Sequence, residues 1–140
     1  TIYLIAKRRS YPLTAHMTYA FSKLNIRHQI VASPNGIDGE ITRFATEKDA
    51  AIAASFSPYA ADSLAQAQDL AARNVPVIAI TDSAFSPLTA CSDYWFEVAE
   101  ADFAGFRSLS ASMALIMAFP VAIAERRRKG ATKTDKTKME

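Results

Sequence analysis

The sequence predicts an α/β fold in which a parallel sheet is covered by helices on both faces. Short apolar runs of strand length recur along the chain, longer stretches with helical spacing lie between them, and turn residues punctuate the joins. Strands that alternate with helices in this way pair in parallel through right-handed crossovers. At 140 residues the chain fits one domain, large enough to bury a core without disulfides or metal.

The elements follow in order. Residues 2–6 (IYLIA) read as the first strand, followed by an amphipathic helix over 11–25 and a strand over 27–32. Residues 33–48 are less regular, with helical spacing around 38–46. The apolar run 50–55 is the third strand, and Leu64, Ala67 and Ala71 recur at helical spacing through 58–74. A strand over 76–81, a helical turn near 86–91, a strand over 94–98 and a helix over 106–128 complete the body, with Gly105 and Gly130 marking the ends of the last helix. The middle of that helix is nearly all apolar, yet it is short for a bilayer span and holds Ser110, Ser112 and Pro120. A helix apolar all round needs two partners, so one face is expected on the sheet and Met113, Ile116 or Met117 on a second subunit of a homodimer.

Charge is unevenly spread. The chain carries 16 basic and 14 acidic residues, but seven of the bases and only two of the acids follow Glu125, which leaves the rest at −3. Such a body is no electrostatic match for nucleic acid. The segment 129–140, rich in Lys and Thr, is expected to be a disordered basic tail after a folded domain over 1–128. The single cysteine, Cys91, excludes an internal disulfide, suits a reducing, cytoplasmic compartment and reads as a small buried residue. The chain opens on Thr1 directly into a strand, so no secretory signal is expected, and a start without Met points to a segment of a longer protein.

The chemistry concentrates where strands run into helices. Ser55 and Ser57 follow the third strand, with Ser57 expected at a helix N-cap and Pro58 at the first helical position. They either cap that helix or hold a phosphate, which helix N-termini favour through free N–H groups and the helix dipole. Lys7, Arg8, Arg9 and Ser10 follow the first strand, and Thr81, Asp82 and Ser83, then Ser86 and Pro87, follow the fourth. In an open parallel sheet these turns share one edge and can converge on one ligand. Lys7, Arg8 and Arg9 either supply charge to a phosphate or solubilise the surface. Candidates for general acid–base work are sparse: His16, His28, and the acidic trio Glu97, Glu100 and Asp102. No metal-ligand spacing and no Gly-rich nucleotide loop is present, so no cofactor is expected.

The run from Ser55 to Ser63 (SFSPYAADS), together with 77–83 (VIAITDS), Ser86, Pro87 and Leu88, resembles the sugar isomerase (SIS) domain. The version most similar is the one at the C-terminal end of RpiR-type transcription regulators, over about residues 1–125, and the turn Arg9–Pro12 matches too. The resemblance implies a three-layer αβα sandwich around a five-stranded parallel sheet, doubly wound in the flavodoxin-like manner. It also implies dimerisation and a phosphosugar site formed by Ser10, Ser55 and Ser57. The family pattern Ser-x-Ser-Gly-Glu-Thr is here Ser55-Phe56-Ser57-Pro58-Tyr59-Ala60, so a glycine, a glutamate and a hydroxyl are replaced. Arg8 and Arg9 stand where glycine and small residues are common.

The resulting expectation is a sensor without catalysis. A sugar phosphate bound by Ser10, Ser55, Ser57, Arg8 and Arg9 would alter the packing of a homodimer. DNA would be met only through an N-terminal helix-turn-helix domain outside these residues, and no membrane is involved. A phosphosugar isomerase is the enzyme alternative, and a degenerate dimerisation module is the third.

Overall fold

The computed structural model describes the backbone of residues 1–137 and the side chains of residues 1–130. Five strands, β1 (Ile2–Ala6), β2 (His28–Ile30), β3 (Ala50–Ala54), β4 (Val77–Thr81) and β5 (Tyr94–Glu97), form one parallel sheet in the order β2-β1-β3-β4-β5. Helices α1 (Tyr11–Lys23) and α4 (Ser110–Thr137) cover one face, and α2 (Asp38–Thr42) and α3 (Ala61–Ala72) cover the other. The expected three-layer α/β sandwich is therefore present.

The apolar runs are continuous because both faces of each central strand are covered. Leu4, Ala6, Ile52, Ala54 and Ile80 point toward Leu13, Met17 and Phe21 of α1 and Ile116 of α4. The alternate residues Tyr3, Ile5, Ala51, Ala53, Val77 and Ala79 pack with Ala67 and Leu70 of α3. Small side chains on both surfaces let α3 seat on the middle of the sheet.

α1 and α3 end in the same way. Asn25 and Asn74 adopt left-handed backbone, with φ of 52° and 59°. The N–H groups of Ile26 and Val75 then reach back to the carbonyls of Phe21 and Leu70, each at 3.0 Å. This C-terminal cap satisfies the last helical carbonyls and turns the chain into β2 and β4, while the hydrophobic residue after each Asn packs inward.

Several expected boundaries move. α2 is a single short turn ending at Thr42, and α3 begins at Ala61 instead of residue 58. The last helix begins at Ser110, because residues before it fold into a two-stranded hairpin, β6 (Asp102–Phe103) and β7 (Phe106–Arg107). Ala104 and Gly105 at its tip both have positive φ, 50° and 85°, as a two-residue hairpin turn requires. α4 continues without a break at 128, the expected domain end, to Thr137; residues 138–140 of the expected tail lie outside the described residues.

α4 is also corrected in its facing. Ile116 is fully buried in this chain's own core and Met113 is half-buried against it, so Ile116 is not a partner-facing residue. Met117 and Val121 are 43% and 63% exposed, which makes them the outward apolar positions. Ile116→Ala should therefore cost about 2–5 kcal/mol of stability and Met117→Ala about 0.5 kcal/mol or less, measured by urea unfolding. Equal losses at the two positions would contradict this packing.

Candidate functional site

β1 and β3 are neighbours, yet β1 connects outward to β2 and β3 connects outward to β4. The chain order reverses between them, and the crevice beyond two such strand ends is where ligands bind in open α/β sheets. A cavity of about 240 Å³ lies there, with Arg8, Arg9 and Ser10 on one wall and Ser55, Pro58 and Ala60 on the other.

The first wall is a 3₁₀ turn over Arg8–Ser10. Arg8 has a φ of 54°, an unusual conformation for a long side chain and one that glycine would adopt freely. Ser10 is 4% exposed, and its hydroxyl caps nothing in α1. Lys7 pairs with the buried Asp38, which also accepts the Ser33 N–H at 2.6 Å. Arg9 donates to the carbonyls of Ser57 at 2.8 Å and Gly105 at 3.2 Å. The Arg8 guanidinium has no hydrogen bond or ion pair among the described residues, so its charge is the uncommitted one at this turn.

On the second wall, the buried Ser55 hydroxyl accepts the Ala60 N–H at 3.1 Å, leaving its own proton free to donate. Ser57 departs from expectation. It does not cap α3, whose N-cap is Ala60, and it lies exposed outside the cavity lining. The Ser57–Pro58 peptide is cis, and Pro58 precedes the helix by three residues. The physical reason is that the Ser57 backbone is committed elsewhere, its N–H to Asp82 and its carbonyl to Arg9.

Asp82, at the end of β4, is the hub that residue patterns alone do not reveal. Its carboxylate accepts the Ser57 N–H at 2.9 Å, the Tyr59 hydroxyl at 2.9 Å and Arg107 of β7 at 3.0 Å. Burial pushes this carboxyl up, but the three donors outweigh it and hold it below the usual carboxylate range. Burial, then the bond to Asp82, raises Tyr59 above the ordinary phenol value. Arg107 also lies 5.5 Å over the Phe56 ring, which stiffens the same corner. The only sequence signal for this hub is the position of Asp82 directly after a buried strand.

None of the candidate acid–base groups lines the cavity. Glu100 accepts the N–H groups of Ser112 at 2.7 Å and Ala111 at 3.3 Å, so it caps α4; burial raises its carboxyl, and those bonds pull it below the ordinary value. Asp102 holds the Gly105 N–H at 2.9 Å, and Glu97 is exposed on β5. His16 meets the Met117 sulfur on α4, and His28 bonds the Ile26 carbonyl at 2.8 Å. Cys91 is half-buried, and burial raises its thiol. Among the described residues, no cluster of His, Cys, Asp or Glu could hold a metal, and no helix is long and apolar enough to cross a membrane.

Because the folded Asp82 carboxyl sits below its ordinary value, its stabilising effect is complete above that value and fades as pH falls through the lower, folded one. Asp82→Asn should therefore lower stability by about 1–3 kcal/mol at neutral pH, and the difference from the parent should shrink in strong acid. Urea midpoints across a pH series measure it, and a constant difference would refute the role.

The RpiR transcription factor from Sphaerobacter thermophilus, in its sugar isomerase domain, matches with a TM-score of 0.84 and 21% identity, over 94% of this chain and 74% of that one. The Vibrio vulnificus NanR protein, complexed with ManNAc-6P, matches with a TM-score of 0.80 and 16% identity over 97% of this chain, which spans 53% of NanR. A hypothetical protein from Methanococcus jannaschii, whose crystal structure infers a 3-hexulose-6-phosphate isomerase function for it, matches with a TM-score of 0.70 and 14% identity, over 91% of this chain and 70% of that one. At these identities the likeness is one of fold. No curated protein sequence matches the chain. The SIS domain model, however, matches residues 1–122, and the chain belongs to the SIS domain family.

Proposed function

We propose that this chain is the phosphosugar-sensing and dimerisation domain of an RpiR-type transcription regulator, and not an isomerase. The observation that carries the reading is the cavity between the ends of β1 and β3, where two buried serines and the uncommitted Arg8 line one space. A phosphate offers charged acceptors to all three, and charge-assisted bonds are about twice as strong as neutral ones. Among the solved neighbours of the same fold, one carries ManNAc-6P and another is inferred to act on 3-hexulose-6-phosphate, which supports a phosphosugar as the ligand class.

Isomerisation requires a positioned base to move a proton between adjacent carbons. None of the candidate groups lines the cavity, and most are engaged elsewhere: Tyr59 with Asp82, Glu100 with the first turn of α4, Asp102 with the Gly105 N–H and His16 with Met117, while Glu97 lies exposed on β5. The outward Met117 and Val121 of α4, next to Tyr19 of α1 at 59% exposed, supply the apolar surface a second subunit would cover. In this reading the ligand biases two subunit arrangements by binding them unequally, and an attached DNA-binding domain reads the outcome.

A phosphorylated hexose, pentose or amino sugar should raise the melting temperature of the chain, and the unphosphorylated sugar much less. Ser10→Ala and Ser55→Ala should each weaken binding by about 1–3 kcal/mol in calorimetry, whereas Ser57→Ala, outside the lining, should change it little. The reading fails if no phosphorylated sugar binds, or if Ser57→Ala costs as much as Ser55→Ala. Interconversion of aldose and ketose phosphates at enzyme-like rates would favour the isomerase instead.

A further inference from the structure

Apart from the Arg107 guanidinium lying over the Phe56 ring, the β6–β7 hairpin is held to the body by hydrogen bonds. Phe103 and Phe106 are both 82% exposed, so no apolar anchor seats it on the body. Arg107 at its end bonds Asp82 at 3.0 Å, and the Gly105 carbonyl at its tip accepts from Arg9 at 3.2 Å. Arg9 is the telling residue, because it also bonds the Ser57 carbonyl at 2.8 Å and forms part of the cavity wall. One guanidinium thus joins the turn after β1, the turn after β3 and the hairpin tip.

The geometry points to Arg9 as a latch that links occupancy of the cavity to the start of α4. Both acceptors of Arg9 are neutral carbonyls, and a phosphate offers the same fork of donors a charged, bidentate partner. A phosphate bound in the cavity therefore draws the guanidinium inward and frees Gly105. The released hairpin is continuous with α4. The Ser108 N–H closes the hairpin base on the Ala101 carbonyl at 2.8 Å, and Glu100, just before it, holds the N–H groups of Ala111 and Ser112. Movement at the tip is thereby delivered to the first turn of the helix whose outer face is apolar and exposed. Arg9 acts here as a positioning residue, and the inference rests on the phosphate reading of the cavity.

Amide hydrogen exchange of the full 140-residue chain tests the latch, with inorganic phosphate as the probe and calorimetry to score its binding. Saturating phosphate should speed exchange at Gly105 and Ser108 by about tenfold or more, the change expected when one charge-assisted bond is lost, while the amides of β3 stay protected. Arg9→Lys keeps the charge but loses the two separate nitrogens with which the guanidinium reaches the Ser57 and Gly105 carbonyls. It should show the fast hairpin exchange without phosphate, and phosphate should add nothing further. Unchanged hairpin exchange in Arg9→Lys, or in the parent chain while phosphate binds, overturns the latch alone. Absence of any phosphate binding to the parent chain overturns the reading of the cavity together with the latch, so the two failures are distinct.

Discussion

β1 and β3 run side by side in register, from Ile2 opposite Ala50 to Ala6 opposite Ala54. Both strands therefore leave the sheet at the same level, and their helices depart toward opposite faces because the strand order reverses between them. The cavity, its two serines and its arginines all follow from that one pairing. A slip of one residue would turn every side chain of β3 to the other face and separate Ser55 from Ser10. Such a slip is opposed from both sides, since Ile52 and Ala54 fit against α1 and α4 while Ala51 and Ala53 fit against α3.

Charge at this edge is distributed with little left over. Lys7 is neutralised by Asp38, Arg107 by Asp82, and Arg9 is shared between two carbonyls. Arg8 alone remains uncommitted among the basic residues lining the cavity, and it does so from a left-handed backbone that its side chain disfavours. Strain of this kind costs of order 1–3 kcal/mol and persists where the surroundings over-determine it. Here the surroundings are the buried Ser10 on one side and the Lys7–Asp38 pair on the other.

Asp82 and Arg9 together tie four segments remote in sequence, the turns after β1, β3 and β4 and the hairpin, into one corner. The Ser57 turn is held at both its N–H and its carbonyl, so the second family serine becomes a structural element beside the cavity while Ser55 keeps its hydroxyl proton uncommitted. The same corner reaches through the hairpin to Glu100 and the first turn of α4. Site and outward helix are thus parts of one hydrogen-bonded structure, as the proposed coupling of ligand to partner requires.

The fold class was legible in the chain because apolar runs of strand length and helical spacing are local signals, and the alternation of the two admits few arrangements. Ser10, Ser55 and the three basic residues after β1 were legible for the same reason, since each closely follows a buried strand. The roles of those residues were not. Whether Arg9 meets a ligand or a carbonyl depends on Gly105, 96 residues away, and whether Ser57 caps a helix depends on Asp82, 25 residues away. Likewise Ile116 and Met117 are equally apolar neighbours, and only the packing of α4 on α1 and the sheet decides that one is buried and the other faces outward. Residue type and spacing set which elements form and where polar groups leave them. Partner choice is decided by tertiary structure, because hydrogen bonds and burial act through space between segments whose separation along the chain carries no local signal.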